Sequence, residues 1–256
     1  MQTKIFIKNK RGLKLAAVIE KPAVKQKCPC VILLHGFKGY KEEDHYTSLA
    51  HFLLTKDIAS VRFDTSGFGE SEGRFEKDYR FSNYVKDVES VYKYIMGGKW
   101  VDKQRIGVFG QSMGGMQAIV FAANNPSVKA VATVSPPDLI SYKEIIKRLG
   151  GVKKEKHIEI ESSRMGGKIS VPLEFFDDAE KWNMTKYVIK IKAPILIMLG
   201  LKDTAVLPER TRKVYYAANQ PKQLIEVQEM NHFYKRDSKM LKKVNKKVVN
   251  FFTNNL

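Results

Sequence analysis

At 256 residues, with 43% hydrophobic and 28% charged side chains, the chain has the composition of an ordinary globular protein, which excludes the disordered and collagen-like classes. The net charge of +18 raises nucleic-acid or anionic-membrane binding, but the basic residues are spread along the whole chain without a recognisable nucleic-acid module, so no nucleic-acid partner is expected. The longest apolar runs, residues 30–34 and 193–199, fall far short of the roughly 20 residues of a membrane span, and the N-terminus lacks the apolar core of about 7–15 residues of a secretory signal, so a cytoplasmic protein is expected.

Residues 4–7 and 13–19 alternate apolar and polar around the turn-forming stretch 9–12, which predicts an opening antiparallel hairpin. Cys28 and Cys30 then flank Pro29; they are too close for ordinary disulfide geometry and do not form a C-x-x-C pair, so they read as small buried apolar residues. Short β-rich runs follow at 30–34, 58–63, 105–109, 129–134, 194–199 and 223–227, separated by segments of helical period. Strands alternating with helices predict a mostly parallel sheet covered on both faces. The clearest helix covers 81–96, where Phe81, Tyr84, Val85, Val88, Val91, Tyr92 and Ile95 make one stripe. Further helices are predicted at 113–124 and 238–252, the last with a buried stripe through Met240, Leu241, Val244, Val248 and Phe252 and a solvated lysine side.

Residues 135–190 interrupt this alternation and are far longer than a usual connection of about 4–6 residues. They are expected to form a cap inserted into a core made of residues 1–134 and 191–256. Within the insert, 139–149 and 175–189 read as helical, while Ile158 and Ile160 pair with Ile169 and Val171 around a turn at 164–167.

The stretch Gly110-Gln111-Ser112-Met113-Gly114 joins a predicted strand to a predicted helix. A bare G-x-S-x-G is weak, but this placement suits a nucleophile elbow, in which a tight turn exposes the serine hydroxyl at the sheet's C-terminal edge. A serine needs a base, and imidazole titrates in the right range. Of the five histidines, His232 lies between a predicted strand and the last helix, whereas His35 reads as structural and His45, His51 and His157 lack such a placement. Asp203, just beyond the strand at 194–199, is the expected orienting carboxylate, with Asp138 as its competitor. The oxyanion donors are expected to be the backbone N–H groups of Phe37, after Leu33-Leu34-His35-Gly36, and of Met113. Gly67-Phe68-Gly69 fails the dinucleotide-loop spacing, and no metal-ligand cluster is visible, so no cofactor and no metal are expected.

Taken together, His35-Gly36-Phe37, Arg62-Phe63-Asp64-Thr65-Ser66-Gly67-Phe68-Gly69-Glu70-Ser71, the Ser112 elbow, Asp203 and His232 resemble the α/β-hydrolases over nearly the whole chain. The run 58–64 with Gly67, Gly69, Ser71, Gly73 and Phe75, followed by the insert, looks most like the bacterial feruloyl or cinnamoyl esterases. That resemblance implies an α/β-hydrolase fold, a twisted sheet with helices on both faces and a small cap, and hydrolysis of small-molecule carboxylic esters through an acyl-enzyme on Ser112. Those esterases read Gly-His-Ser-Gln-Gly, whereas Gln111 and Met113 flank the serine here; Ser-Met-Gly also occurs in monoacylglycerol lipases and general carboxylesterases. Tyr142, Phe175, Phe176 and Trp182 are candidate pocket residues, with cap core as the competing reading. A lipase-like acylglycerol hydrolase, a serine peptidase and, in another class, a non-catalytic binding module stand beside the esterase; monomer and homodimer are both open.

Overall fold

The computed structural model describes residues 1–23, 26–162 and 167–256, apart from the side chain of Leu149. The chain opens with β1 (Gln2–Lys8) and β2 (Lys14–Glu20), a hairpin paired from Gln2 with Glu20 to Lys8 with Lys14. There follow β3 (Cys28–Leu34), α1 (Asp44–Leu54), β4 (Ala59–Phe63), the short α2 (Phe75–Asp78), α3 (Phe81–Gly97), β5 (Val101–Gln111), α4 (Met113–Asn124) and β6 (Val128–Val134). Between β6 and the next long strand lie α5 (Tyr142–Leu149), β7 (Val152–Lys153), β8 (His157–Ser162), β9 (Gly167–Pro172), α6 (Leu173–Ala179) and α7 (Met184–Val188). The chain ends with β10 (Ile195–Gly200), α8 (Pro208–Ala217), β11 (Lys222–Val227) and α9 (Ser238–Asn255).

Eight strands form one sheet in the order β1-β2-β4-β3-β5-β6-β10-β11. Only β2 runs against its neighbours; the pairs from β4 to β11 are all parallel. This is the α/β-hydrolase arrangement. The apolar runs are continuous because the sheet is covered on both faces. On β3, Cys30, Ile32 and Leu34 join a cluster with α3 and α4, whereas Val31 and Leu33 join the opposite cluster with α1 and α9. Cys28 and Cys30 are both free and buried, as small apolar residues. Along α9, Val244, Val248 and Phe252 are buried while Lys242, Lys243, Lys246 and Lys247 face outward. Among the described residues, no helix is long and apolar enough to cross a membrane.

The segment between β6 and β10 carries its own antiparallel sheet, β7-β8-β9, in which Ile158 faces Val171 and Ile160 faces Ile169. The expected turn at 164–167 falls mostly on residues 163–166, outside the described residues. The single helix expected at 175–189 is instead two, α6 and α7. The physical reason is Asn183, whose side chain accepts from the Thr185 N–H at 3.0 Å and caps a new helix. This segment's Ile158, Ile160, Val171, Phe175 and Phe176 share one apolar cluster with the α3–α4 face of the main sheet.

Candidate active site

Parallel strands deliver their C-terminal ends to one edge, and the loops that leave β3, β5, β10 and β11 meet there. Ser112 follows β5 at once and stands before the first turn of α4, with φ +55° and ψ −122°. A non-glycine residue with positive φ is uncommon, and such strain is kept where the surroundings hold it. The holding contact is backbone on backbone: a Cβ on Gly110 would stand 2.1 Å from the Gly114 carbonyl oxygen, and one on Gly114 only 2.0 Å from that of Leu34. The Ser112 N–H donates to the Val134 carbonyl at 2.8 Å, which ties the turn to β6.

Asp203 lies three residues beyond β10 and is 3% exposed. Its Oδ1 accepts from the N–H groups of Ala205 (3.0 Å) and Val206 (2.8 Å), and its Oδ2 lies 2.8 Å from His232 Nδ1. An ionised carboxylate only accepts, so Nδ1 carries the imidazole proton and Nε2 presents its lone pair to the pocket. The competing carboxylate, Asp138, is engaged elsewhere: Arg210 reaches it at 2.6 Å and Lys213 at 3.6 Å. His232 and Ser112 line the same pocket, of about 140 Å³. Among the described residues no hydrogen bond joins them. Instead the Gln111 carboxamide stands between: its Nε2 donates to the His232 carbonyl at 3.1 Å and lies 3.5 Å from His232 Nε2. Hydrogen bonds of this kind are often long or misaligned until a substrate is bound.

Phe37 and Met113 line the pocket too, and neither backbone N–H donates a hydrogen bond among the described residues. The loop that carries Phe37 is held from behind by His35, which is 1% exposed. The Thr65 N–H donates to His35 Nε2 at 3.1 Å, so the ring proton sits on Nδ1 and faces the Gly36 carbonyl at 2.9 Å. The Tyr84 hydroxyl donates to the His35 carbonyl at 3.1 Å. Behind these, buried Asp87 accepts from Asn9 Nδ2, from the Thr65 and Ser66 hydroxyls and from the Ser66 N–H. The loop after β4, which the sequence marks only by its glycines, is therefore an anchor for the Phe37 loop.

The structure does not bring Tyr142, Phe175, Phe176 and Trp182 to the pocket wall. Phe175 and Phe176 are fully buried, Phe175 stacking on Tyr79 at 5.3 Å; Trp182 packs on Phe81 at 5.3 Å, and the Tyr142 ring lies under Lys153. The largest rings bury the most apolar area, so the core claims them. The wall is made by smaller side chains, Leu139, Ile140, Ile145 and Val206 among them. Lys38, which no sequence pattern marks, and Gln111, marked only as a flank of the serine, bear on the pocket through contacts with distant segments.

A family profile described as serine aminopeptidase, S33 matches residues 25–161, more than half of the chain. Among solved structures, Est1E from Butyrivibrio proteoclasticus with ferulic acid bound is similar over 98% of both chains, with a TM-score of 0.84 and 25% identity. Among curated proteins, an uncharacterised 31.7 kDa protein of Escherichia coli is 22% identical, covering 86% of this chain and 88% of its own. The human mitochondrial palmitoyl-protein thioesterase ABHD10 is 24% identical over 72% of this chain and 60% of its own. The eight-stranded sheet and the family match lead to one conclusion: this chain is an α/β-hydrolase enzyme and belongs to the serine aminopeptidase, S33 family.

Proposed function

We propose that the protein is a serine carboxylesterase with Ser112 as nucleophile, His232 as general base and Asp203 as the carboxylate that orients it. The observation that carries this reading is the 2.8 Å bond from His232 Nδ1 to Asp203, which turns the basic Nε2 toward the pocket that holds Ser112. In the acylation step His232 Nε2 takes the Ser112 hydroxyl proton as the oxygen attacks the ester carbonyl. The tetrahedral oxyanion is held by the N–H groups of Phe37 and Met113 and by the N-terminus of α4. The proton then passes from His232 to the leaving alcohol. Water, activated by the same imidazole, cleaves the acyl-enzyme and returns the acid.

Residues 135–190 act as the cap in this reading, supported by Leu139, Ile140 and Ile145 in the pocket wall. An aromatic acyl group of the feruloyl class suits that apolar wall, and the similarity to Est1E with ferulic acid bound supports it. The family description favours an aminopeptidase, which needs a carboxylate free to meet a substrate ammonium. The pocket's Glu43 and Glu144 are instead paired with Lys235 and Arg148, which favours esters over aminoacyl amides.

The test is Ser112→Ala, which should lower hydrolysis of a p-nitrophenyl ester by about 10⁴-fold or more and abolish labelling by a fluorophosphonate, with thermal unfolding unchanged. Near-normal turnover in that variant removes the assignment. A panel of methyl ferulate, short and long p-nitrophenyl esters, monoacylglycerols and aminoacyl amides then assigns the substrate; long acyl chains cleaved with methyl ferulate ignored would end the feruloyl reading.

A further inference from the structure

The pocket that holds Ser112 and His232 is also lined by five charged side chains, Lys38, Glu43, Glu144, Arg210 and Lys235. Four of them are already paired. Glu43 meets Lys235, Glu144 meets Arg148 at 2.5 Å, and Arg210 meets Asp138 at 2.6 Å. Lys38 alone among the five has no carboxylate within ion-pair distance among the described residues. Its ammonium donates to the main-chain carbonyl of Glu161 and stands 5.9 Å from the centre of the Phe37 ring. One carbonyl satisfies one of three ammonium donors. Burial draws its pKa down, and the more distant Glu161 charge restores it only in part.

The backbone adds a second cost at the same residue. Lys38 has φ +59°, a conformation that suits glycine, and its N–H donates to the Tyr79 hydroxyl at 2.9 Å. A half-buried cation without a carboxylate partner is stabilised by an arriving anion, which offsets its partial desolvation though not the backbone strain.

The surroundings indicate where the anion would sit. Beyond the pocket lies a polar cleft of about 540 Å³ that shares Phe37, Lys38, Glu43, Phe233 and Lys235 with it and adds the charges of Asp44, Glu161 and Arg236. The apolar wall at Leu139, Ile140, Ile145 and Val206 belongs to the pocket alone, so Lys38 stands at the junction of an apolar chamber and a polar one. We propose that Lys38 is a specificity determinant which binds a carboxylate carried by the ester substrate, so that the enzyme's substrates are amphiphilic esters with an apolar group on one side and a carboxylate on the other. This rests on the serine esterase reading above. A singly charged group fits better than a phosphate, because Asp44, Glu161 and the Lys235-paired Glu43 line the same cleft and would repel a second negative charge.

The test compares kcat/KM for phenyl hexanoate, monophenyl adipate and 3-carboxyphenyl hexanoate, which place no carboxylate, one on the acyl side or one on the alcohol side. In the wild type, one carboxylate ester should exceed the neutral ester by about tenfold, the scale of a charged hydrogen bond. Lys38→Met should collapse that ratio toward one, and Lys38→Arg should keep most of it. If Lys38 only straps the loop to β8, Lys38→Met will change all three esters in common and leave the ratio intact, which overturns the proposal. Should Lys38→Met not fold, the wild-type ratios decide, and no preference for either carboxylate ester is equally fatal. Fluorophosphonate labelling of Ser112 keeps the two claims apart: labelling without carboxylate preference sinks this inference alone, and no labelling with no ester turnover sinks the esterase reading and this inference with it.

Discussion

His45 lies in α1 with its ring 3.8 Å from that of Tyr46, centre to centre, and 5.9 Å from that of Tyr234. Neither ring nitrogen has a hydrogen-bond partner among the described residues. Burial, reinforced by the charges of Lys235 and His232, holds its pKa well below the ordinary 6.5, so the folded protein keeps it neutral. The unfolded chain takes up that proton below about pH 6.5, so between that pH and the depressed folded value the unfolded state binds more protons. Stability is therefore complete above this window and is lost as pH falls through it, by at most about 1.4 kcal/mol per pH unit. His45→Phe removes the titration and keeps the ring. Urea denaturation at pH 6.5 and 5.5 should show a loss of stability smaller by about 1 kcal/mol in the variant than in the wild type; equal losses would mean that His45 is protonated within the fold.

The β5–α4 elbow shows how an element enforces a residue's conformation. Gly110 and Gly114 meet main chain rather than side chains, so nothing soft can give way when a methyl group is added. Gly114→Ala should destabilise by about 3 kcal/mol or more. Gly97, at the end of α3, has no atom within 4 Å of a built Cβ, and Gly97→Ala should be neutral or stabilising by up to about 1 kcal/mol. Urea denaturation of the pair checks both. Matching midpoints would mean that the elbow can relax.

At the scale of the molecule, each face of the sheet has its own apolar cluster, and the segment between β6 and β10 belongs to one of them. Phe176 is 0% exposed, and Phe175 meets Phe37 at 5.1 Å, so this segment packs directly on the loop that carries the proposed oxyanion donor. Asp178 extends the junction, accepting from the Ser82 N–H at 2.7 Å in the first turn of α3. We therefore expect the proposed cap and core to unfold together. Phe176→Ala should lower global stability by about 3–5 kcal/mol, seen as a single calorimetric transition at lower temperature. A split transition with the sheet's melting unchanged would mark the segment as an independent unit.

Local pattern was enough to outline this protein's frame. Strands buried on both faces must read as apolar runs, and amphipathic helices must show one stripe, so the hairpin, the parallel sheet, α3, α4 and α9 were legible from spacing alone. The same order brought Ser112, Asp203 and His232 forward as candidates, because parallel strands deliver whatever follows them to one edge. The break at Asn183, the carboxamide of Gln111 at the imidazole, the choice of Leu139 and Ile140 over Phe175 and Phe176 for the pocket wall, and the incompletely paired Lys38 were decided only by the tertiary structure. Each depends on which distant side chain arrives as neighbour: Lys235 reaches Glu43 across 192 residues of sequence, and no local period encodes such a meeting.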